Sequence, residues 1–223
     1  MVSLLIIPRC GGMEFVMSIN SLEQLNEMHI DVLKEIGNIG AGNAATSLSQ
    51  MLNTKVDMST PSVKILDIND AATCLGGPEN VVIGILSKLE GDIDGIMMFI
   101  IEQDFAKSVL TSLLGVEEVS CDQLSEMELS AISELGNIMI AAYTGSISTL
   151  SQLNMKTTVP SIAVDMVGAL LSVPAIEMGT VSDKIIFIED DFLSGNNDIS
   201  ANMLLVPSID SLNRLMKELG IEL

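Results

Sequence analysis

The chain carries the stretch DVLKEIGN at residues 31–38 and repeats its pattern as SAISELGN at residues 130–137. The two stretches are offset by 99 residues and share the same Glu, Gly and Asn. In both copies, 22 residues separate the Asn from a proline, which is Pro61 in the first copy and Pro160 in the second. A motif that repeats together with its distant proline indicates an internal duplication, and this duplication determines the architecture.

The duplication divides the chain into two similar repeats. We expect residues 1–20 to be an N-terminal extension that a mis-assigned start would explain, residues 21–115 to be the first repeat and residues 124–223 the second. The junction between the repeats has no long linker rich in Gly, Ser or Pro. Since one repeat could not bury its apolar sheet face alone, we predict a single globular body with pseudo-twofold symmetry.

Each repeat has the same order of predicted elements. A long helix begins at a capping-box signal, Ser21-x-x-Gln24 or Ser125-x-x-Glu128, and a short closing helix ends at Gly115 or Gly220. Strands are predicted at 55–67, 81–88 and 93–101, and at 156–162, 170–178, 184–189 and 199–206. Closing helices are predicted at 105–114 and 211–219, and a loop insertion in the second repeat at 190–197. The pattern predicts an α+β fold with a mainly antiparallel sheet packed with helices.

The composition limits the classes of function. The net charge of −20, from 30 acidic and 10 basic residues, argues against nucleic acid and anionic membranes as partners, although solubility alone would explain it. Three cysteines without a CxxC pair and a single histidine, His29, argue against a zinc site and against histidine catalysis. No apolar run is long enough to span a bilayer. We therefore expect a soluble cytoplasmic protein without a metal of its own.

The repeated motif places its polar residues on one edge of a helix. Asp31, Glu35 and Asn38 are neighbours because positions three and four apart share a helix face. The equivalent edge of the second copy consists of Ser130, Glu134 and Asn137. A solvated polar face would explain one copy, but its repetition favours two copies of one functional site.

Two motif glycines, Gly37 and Gly136, lie in the middle of predicted helices, where glycine costs about 1 kcal/mol relative to alanine. Either a partner approaches the helix backbone there or another helix packs closely against it, and the sequence leaves both explanations open. The 15 methionines are interpreted mostly as core residues, with an adaptable binding surface as the alternative. His29 is interpreted as structural.

Glu and Asn alone form a chemically incomplete site. Asn cannot transfer a proton near neutral pH, but it can hold a water molecule with one donated and one accepted hydrogen bond. Glu can anchor a cationic group such as a lysine. Neither residue supplies a nucleophile or a phosphate-binding loop, so the site needs a partner that provides the remaining groups.

With these motifs identified, the chain resembles the CheC/CheX/FliY family of chemotaxis phosphatases over about residues 20–223. The family motif is an acidic residue or serine, then Glu, then Asn, and then a distant proline, and both copies match it. The segment EIGNIGAGNA at residues 35–44 is especially similar to this family. The resemblance implies a hydrolase that dephosphorylates the response regulator CheY-P, with two sites per chain.

The resemblance also implies a role for each motif residue. Asn38 and Asn137 would orient the attacking water, and Glu35 and Glu134 would pair with a lysine of the regulator. The residues expected to support partner binding are Asp31, Ser130, Gly37, Gly136, Pro61 and Pro160. The Mg²⁺ of the reaction would belong to CheY-P, so this chain would have no cofactor of its own.

Length indicates the position of the chain within the family. The sequence ends just after the second closing helix, which favours the CheC branch, and that branch implies binding to the regulator CheD. An internal pseudo-dimer would replace a homodimer, so we expect a monomer. The alternative function is a non-catalytic adaptor that binds CheD, or a flagellar switch component.

Overall fold

The computed structural model describes residues 19–116, 119–178, 184–194 and 197–221. Most of the predicted N-terminal extension, residues 1–18, lies outside the described residues. The α-helices in the described ranges are α1 (Glu27–Leu52), α2 (Ile68–Cys74), α3 (Gln103–Leu114), α4 (Glu126–Ser151), α5 (Val167–Met178) and α6 (Ile209–Glu218). The strands are β1 (Val56–Met58), β2 (Ser62–Asp67), β3 (Val81–Gly91), β4 (Gly95–Ile101), β5 (Met155–Thr157), β6 (Ser161–Met166), β7 (Lys184–Ser194) and β8 (Asn197–Pro207). None of these helices is long and apolar enough to cross a membrane.

The strands form one sheet in the order β1-β7-β8-β4-β3-β5, with β2 also paired to β7 and β6 also paired to β3. Every pairing among the described strands is antiparallel. The two repeats meet at the centre of the sheet, where β4 pairs with β8. The predicted α+β class with a mainly antiparallel sheet is confirmed.

The repeats exchange their edge strands. Strand β2 of the first repeat pairs with β7 of the second, from Ser62 opposite Glu189 to Asp67 opposite Lys184. Strand β6 of the second repeat pairs in the same way with β3 of the first. Because each repeat completes the sheet of the other, the two repeats share one sheet and form a single body.

Helices cover both faces of the sheet. Helices α1, α3, α4 and α6 pack on one face over a large core that contains Phe99, Tyr143 and Met203. Helices α2 and α5 cover the opposite face over a smaller core around Phe187 and Leu204. Neighbouring residues of one strand point to opposite faces, so the central strands are apolar at nearly every position. Strand β4, for example, is buried along its whole length.

The two helices on the smaller face differ from the sequence prediction. Residues 170–178 were predicted as a strand, but they belong to helix α5, and α2 was not predicted at all. The prediction for 170–178 was wrong because the α5 sequence VGALLSVPAIEM has apolar residues around most of its circumference and contains Pro174. Such a segment lacks the helical period on which the prediction depends.

Two local predictions also need correction. Asn26 is the N-cap of helix α1 and forms a capping box with His29, whereas Ser21 precedes a single 3-10 turn, Leu22–Gln24. The predicted loop insertion at 190–197 is largely strand, because β7 continues to Ser194 and β8 begins at Asn197. The extra residues of the second repeat therefore lengthen the hairpin formed by β7 and β8. By contrast, the Ser125–Glu128 capping box and the glycines after α3 and α6 are confirmed.

Candidate functional site

The candidate site consists of two helix edges, one on α1 and one on α4. Both helices have 26 residues and begin with a complete capping box. The Asn26 N–H donates to His29 Nδ1 at 3.1 Å, and the Ser125 N–H donates to Glu128 Oε2 at 2.7 Å. These hydrogen bonds satisfy N–H groups that a helix otherwise leaves unpaired, so the start of each helix is fixed one turn before its motif.

The α1 edge carries Asp31, Glu35 and Asn38 in a row along the helix. Asp31 and Glu35 are exposed, and Asn38 is half-buried. Lys34 Nζ lies 2.8 Å from Asp31 Oδ1, in an ion pair whose two side chains are 50% and 70% exposed. An ion pair this exposed contributes little to stability, so a partner could displace it at little cost.

The α4 edge carries Ser130, Glu134 and Asn137, and all three are exposed. The position equivalent to Lys34 is Ser133, so this edge has no ion pair of the Asp31–Lys34 kind. The two edges therefore present the same Glu and Asn in surroundings that differ in charge and in the exposure of the Asn.

The side chains of both edges are available to a partner. Among the hydrogen bonds and ion pairs of the described residues, none involves the side chain of Glu35, Asn38, Glu134 or Asn137. The same part of the chain contains no group of three or more His, Cys, Asp or Glu side chains that could hold a metal ion. The Glu and Asn side chains of the two edges therefore offer two carboxylates and two carboxamides to a partner.

The motif glycines face the interior of the protein. Gly37 and Gly136 are buried, each on the side of its helix that packs on the sheet. A Cβ at Gly37 would lie 3.6 Å from Ile188, and a Cβ at Gly136 would lie 2.4 Å from Ile85. The glycines therefore serve packing within the protein, but the predicted alternative of helix–helix packing was wrong, because the neighbour is the sheet and not another helix. Neither glycine lies on the exposed edge predicted to contact a partner.

The distant proline also belongs to the packing that supports the site. The Pro61 Cβ lies 3.6 Å from a Cβ placed at Gly37, one residue before Asn38. The spacing of the motif follows from this contact. After Asn38, α1 continues for about 20 Å to Leu52, and the extended segment that follows returns the chain to the level of Asn38. Pro61 is buried, whereas Pro160 is only half-buried.

Sequence reasoning missed one pair of residues on the same helix edges. Met28 and Met127 are 61% and 67% exposed, and they occupy equivalent positions in the first turns of α1 and α4. Met28 also lines a shallow depression along α1 together with Glu27, Asp31 and Glu35. The 99-residue offset was a signal that could have identified this pair, but the methionines were interpreted as core residues.

The duplicated helix edges on a shared antiparallel sheet define a class of protein. The model of the CheC-like family matches residues 28–65 and 127–164, which contain the two motifs and their prolines. The chain is 33% identical to a protein of Bacillus subtilis named CheY-P phosphatase CheC, over 203 residues that cover 89% of this chain and 97% of that protein. The chain belongs to the CheC-like family.

Two further relatives carry the name FliY. The flagellar motor switch phosphatase FliY of Bacillus subtilis is 32% identical over 145 residues, which are 65% of this chain but 38% of that protein. The crystal structure of Thermotoga maritima FliY superposes with a TM-score of 0.71 at 18% identity, covering 88% of this chain and 98% of that one. The second likeness concerns the fold alone.

Proposed function

We propose that this protein is a phosphatase that removes the phosphoryl group from the aspartyl phosphate of a CheY-type response regulator. The observation that carries the proposal is the pair of exposed Glu–Asn edges, whose carboxylates and carboxamides have no partner among the described residues. The name of the Bacillus subtilis relative supports the same substrate for this chain.

The chemistry of the two side chains suggests how the reaction would proceed. Asn38 or Asn137 would enter the active site of the regulator, donate one hydrogen bond to a water molecule and accept another from it. The oriented water attacks phosphorus, the bond between phosphorus and the aspartate oxygen breaks, and inorganic phosphate leaves. Glu35 or Glu134 would pair with a lysine of the regulator and fix the angle of approach.

The division of labour explains what this chain provides. Positioning a water molecule is the task that a carboxamide also performs in GTPases, where the phosphate and the metal are held by other groups. Here the Mg²⁺ and the phosphoryl group would both be carried by the regulator. The −20 net charge of this chain opposes its approach to an anionic phosphoryl group, so a specific contact such as the Glu–Lys pair becomes more important.

The direct experiment compares the decay of CheY-P with wild-type protein and with the double variant N38A/N137A. We expect wild-type protein to accelerate the loss of phosphate and the double variant to return the rate to that of the regulator alone. Asn43→Ala is the matched control, because Asn43 is an exposed Asn on α1 whose equivalent in α4 is Ala142. An unchanged rate in N38A/N137A would contradict the mechanism.

The second candidate function is a non-catalytic adaptor that binds CheD, or a component of the flagellar switch. Its support is the similarity to the switch protein FliY, although this chain spans only 38% of the Bacillus subtilis protein. This function requires no carboxamide at position 38 or 137. Wild-type protein that binds the phosphorylated regulator without accelerating phosphate loss would favour it. We also propose that the protein is monomeric, and sedimentation would test this.

A further inference from the structure

Two methionines are exposed at equivalent positions of the site helices. Met28 is 61% exposed and Met127 is 67% exposed, each as the second residue of its helix. Large apolar side chains this exposed are few in the described ranges, and these two are related by the 99-residue offset of the motif. A solvated position requires no apolar residue, so the repetition of methionine needs an explanation.

Helical geometry places each methionine in line with the Glu and Asn of its motif. At about 100° per residue, Met28, Asp31, Glu35 and Asn38 fall within an arc of about 80°. Leu33 lies on the opposite side of α1 and is fully buried. Met28 and Asn38 are ten residues apart and thus about 15 Å apart along the helix axis. Each edge therefore has an apolar end and a carboxamide end.

A comparison of α1 with α4 within this one chain shows which exposed residues the two helices share. Other positions on this side of the helices differ between the two copies, since Ser133 corresponds to Lys34 and Ser130 to Asp31. The exposed positions that keep the same residue in both helices are Glu27 and Glu126, Met28 and Met127, and Glu35 and Glu134. The methionine has thus been retained on the same surface as the glutamate of the motif.

We propose that Met28 and Met127 are apolar docking residues that hold the phosphorylated regulator at a second point, about 15 Å from the carboxamide. The inference rests on the proposed function, because the regulator is the partner that the Glu–Asn edge contacts. The flexible methionine side chain adapts to an apolar depression on the partner's surface. The docking residue and the carboxamide then bind one rigid domain together, so the methionine determines affinity and the carboxamide determines the rate of hydrolysis.

The experiment separates binding from chemistry with the double variant M28A/M127A. We expect its KM for CheY-P to rise by about tenfold, the effect of losing most of one buried methionine side chain, while kcat stays within about twofold of the wild-type value. Titration with beryllofluoride-activated CheY gives an independent readout, in which Kd should rise by the same factor. M28L/M127L should restore both constants. Because both residues are exposed, thermal unfolding of all variants should be unchanged.

Ile176→Ala is the matched control for the loss of exposed apolar surface. Ile176 is 76% exposed on α5, which covers the opposite face of the sheet. We expect KM and Kd to stay unchanged in this variant. An equal rise in I176A would show that the effect is unspecific and would overturn the proposal.

Other outcomes distinguish this inference from the proposed function. Unchanged KM and Kd in M28A/M127A would show that the methionines do not dock the regulator. A self-association of wild-type protein that M28A/M127A abolishes, with regulator binding intact, would assign the surface to a second copy of this chain and overturn the proposal. If N38A/N137A kept full activity, the proposed mechanism would fail, while the Kd from the titration with beryllofluoride-activated CheY would still test docking.

Discussion

A Cβ atom placed at Gly136 would lie 2.4 Å from Ile85 Cγ2, whereas a Cβ at the equivalent Gly37 would lie 3.6 Å from Ile188 Cγ2. Contact at 2.4 Å is a steric overlap, and 3.6 Å is ordinary van der Waals contact. Ile85 and Ile188 are both fully buried, so neither side chain can move freely aside. Each helix thus approaches the sheet at its motif glycine, but α4 approaches it more closely than α1 does.

This difference predicts opposite results for equivalent substitutions. G136A should lower the free energy of unfolding by about 1–3 kcal/mol, because Ile85 or the helix must shift to make room. G37A should be neutral or slightly stabilising, since its methyl group fits and alanine favours the helix. Chemical denaturation of both variants measures these values.

Gly145 provides the internal control for this comparison. It lies in α4 as Gly136 does, but nothing lies within 4 Å of a Cβ placed there. G145A should stabilise the protein by about 0.5–1 kcal/mol through helix propensity alone. The difference between G136A and G145A therefore isolates the packing contribution. Equal stability of these two variants would show that the close contact with Ile85 is not a constraint.

His29 closes the first capping box only in its neutral form. Its Nδ1 accepts the Asn26 N–H at 3.1 Å, so a proton at Nδ1 would replace an acceptor with a donor. Burial lowers the pKa of His29 below its usual value of 6.5. The unfolded chain therefore binds the proton more readily than the folded protein. The contribution of His29 to the free energy of unfolding is fully present above about pH 6.5 and decreases as the pH falls through that value.

Below pH 6.5, we expect the free energy of unfolding to fall by at most about 1.4 kcal/mol per pH unit. The fall ends when the pH reaches the pKa of His29 in the folded protein. H29Q should remove this contribution, because Gln does not titrate yet can still complete a capping box. Denaturation of both proteins at pH 7.5, 6.5 and 5.5 gives the difference. His29 is the only histidine in the chain, so its NMR titration reports its pKa directly. A measured pKa at or above 6.5 would contradict this account of the cap.

Tyr143 is the only tyrosine in the chain, and its surroundings lead us to expect that the protein loses stability at high pH. It is fully buried, lies beside Gly40 of α1, and its hydroxyl donates a hydrogen bond to the buried Asp190 carboxylate. Burial, and then the charge of Asp190, raises the pKa of Tyr143 far above its usual value near 10. The unfolded chain therefore releases this proton first, so stability is complete below about pH 10 and decreases as the pH rises above it.

Absorbance at 295 nm measures tyrosine ionisation and should report this residue alone. We expect no ionisation of the folded protein near pH 10 and a rise that coincides with unfolding at higher pH. Free titration at pH 10 in folded protein would contradict the buried hydrogen bond. Y143F should unfold more readily at neutral pH, by about 1–3 kcal/mol, because Asp190 loses a donor in the core.

The sequence predicted the parts of this protein that depend on local spacing. The helical period around Glu35 and Glu134 predicted α1 and α4, and the same period predicted that the polar edges would be exposed. Helix α5 was missed because its apolar residues surround the helix and thus lack that period. The sequence did not predict whether Gly37 and Gly136 face the interior or a partner. That distinction depends on neighbouring strand residues such as Ile85, which are distant in sequence.

The exchange of edge strands could not be inferred from local patterns. Ser62 pairs with Glu189, more than a hundred residues away, and no turn signal fixes that register. The exposure of Met28 was equally hidden, because methionine is common both in cores and on binding surfaces. Both features depend on contacts between distant segments and not on the residues themselves.

The two sites should contribute unequally to phosphatase activity. Asn137 is exposed, whereas Asn38 is half-buried. A carboxamide that must enter the active site of another protein acts best when its own surroundings leave it free to protrude. N137A should therefore remove roughly more than half of the wild-type rate of CheY-P hydrolysis, and N38A less than half. Rates measured for each single variant at saturating CheY-P, with N38A/N137A as the baseline, test the order, and a larger loss in N38A would contradict it.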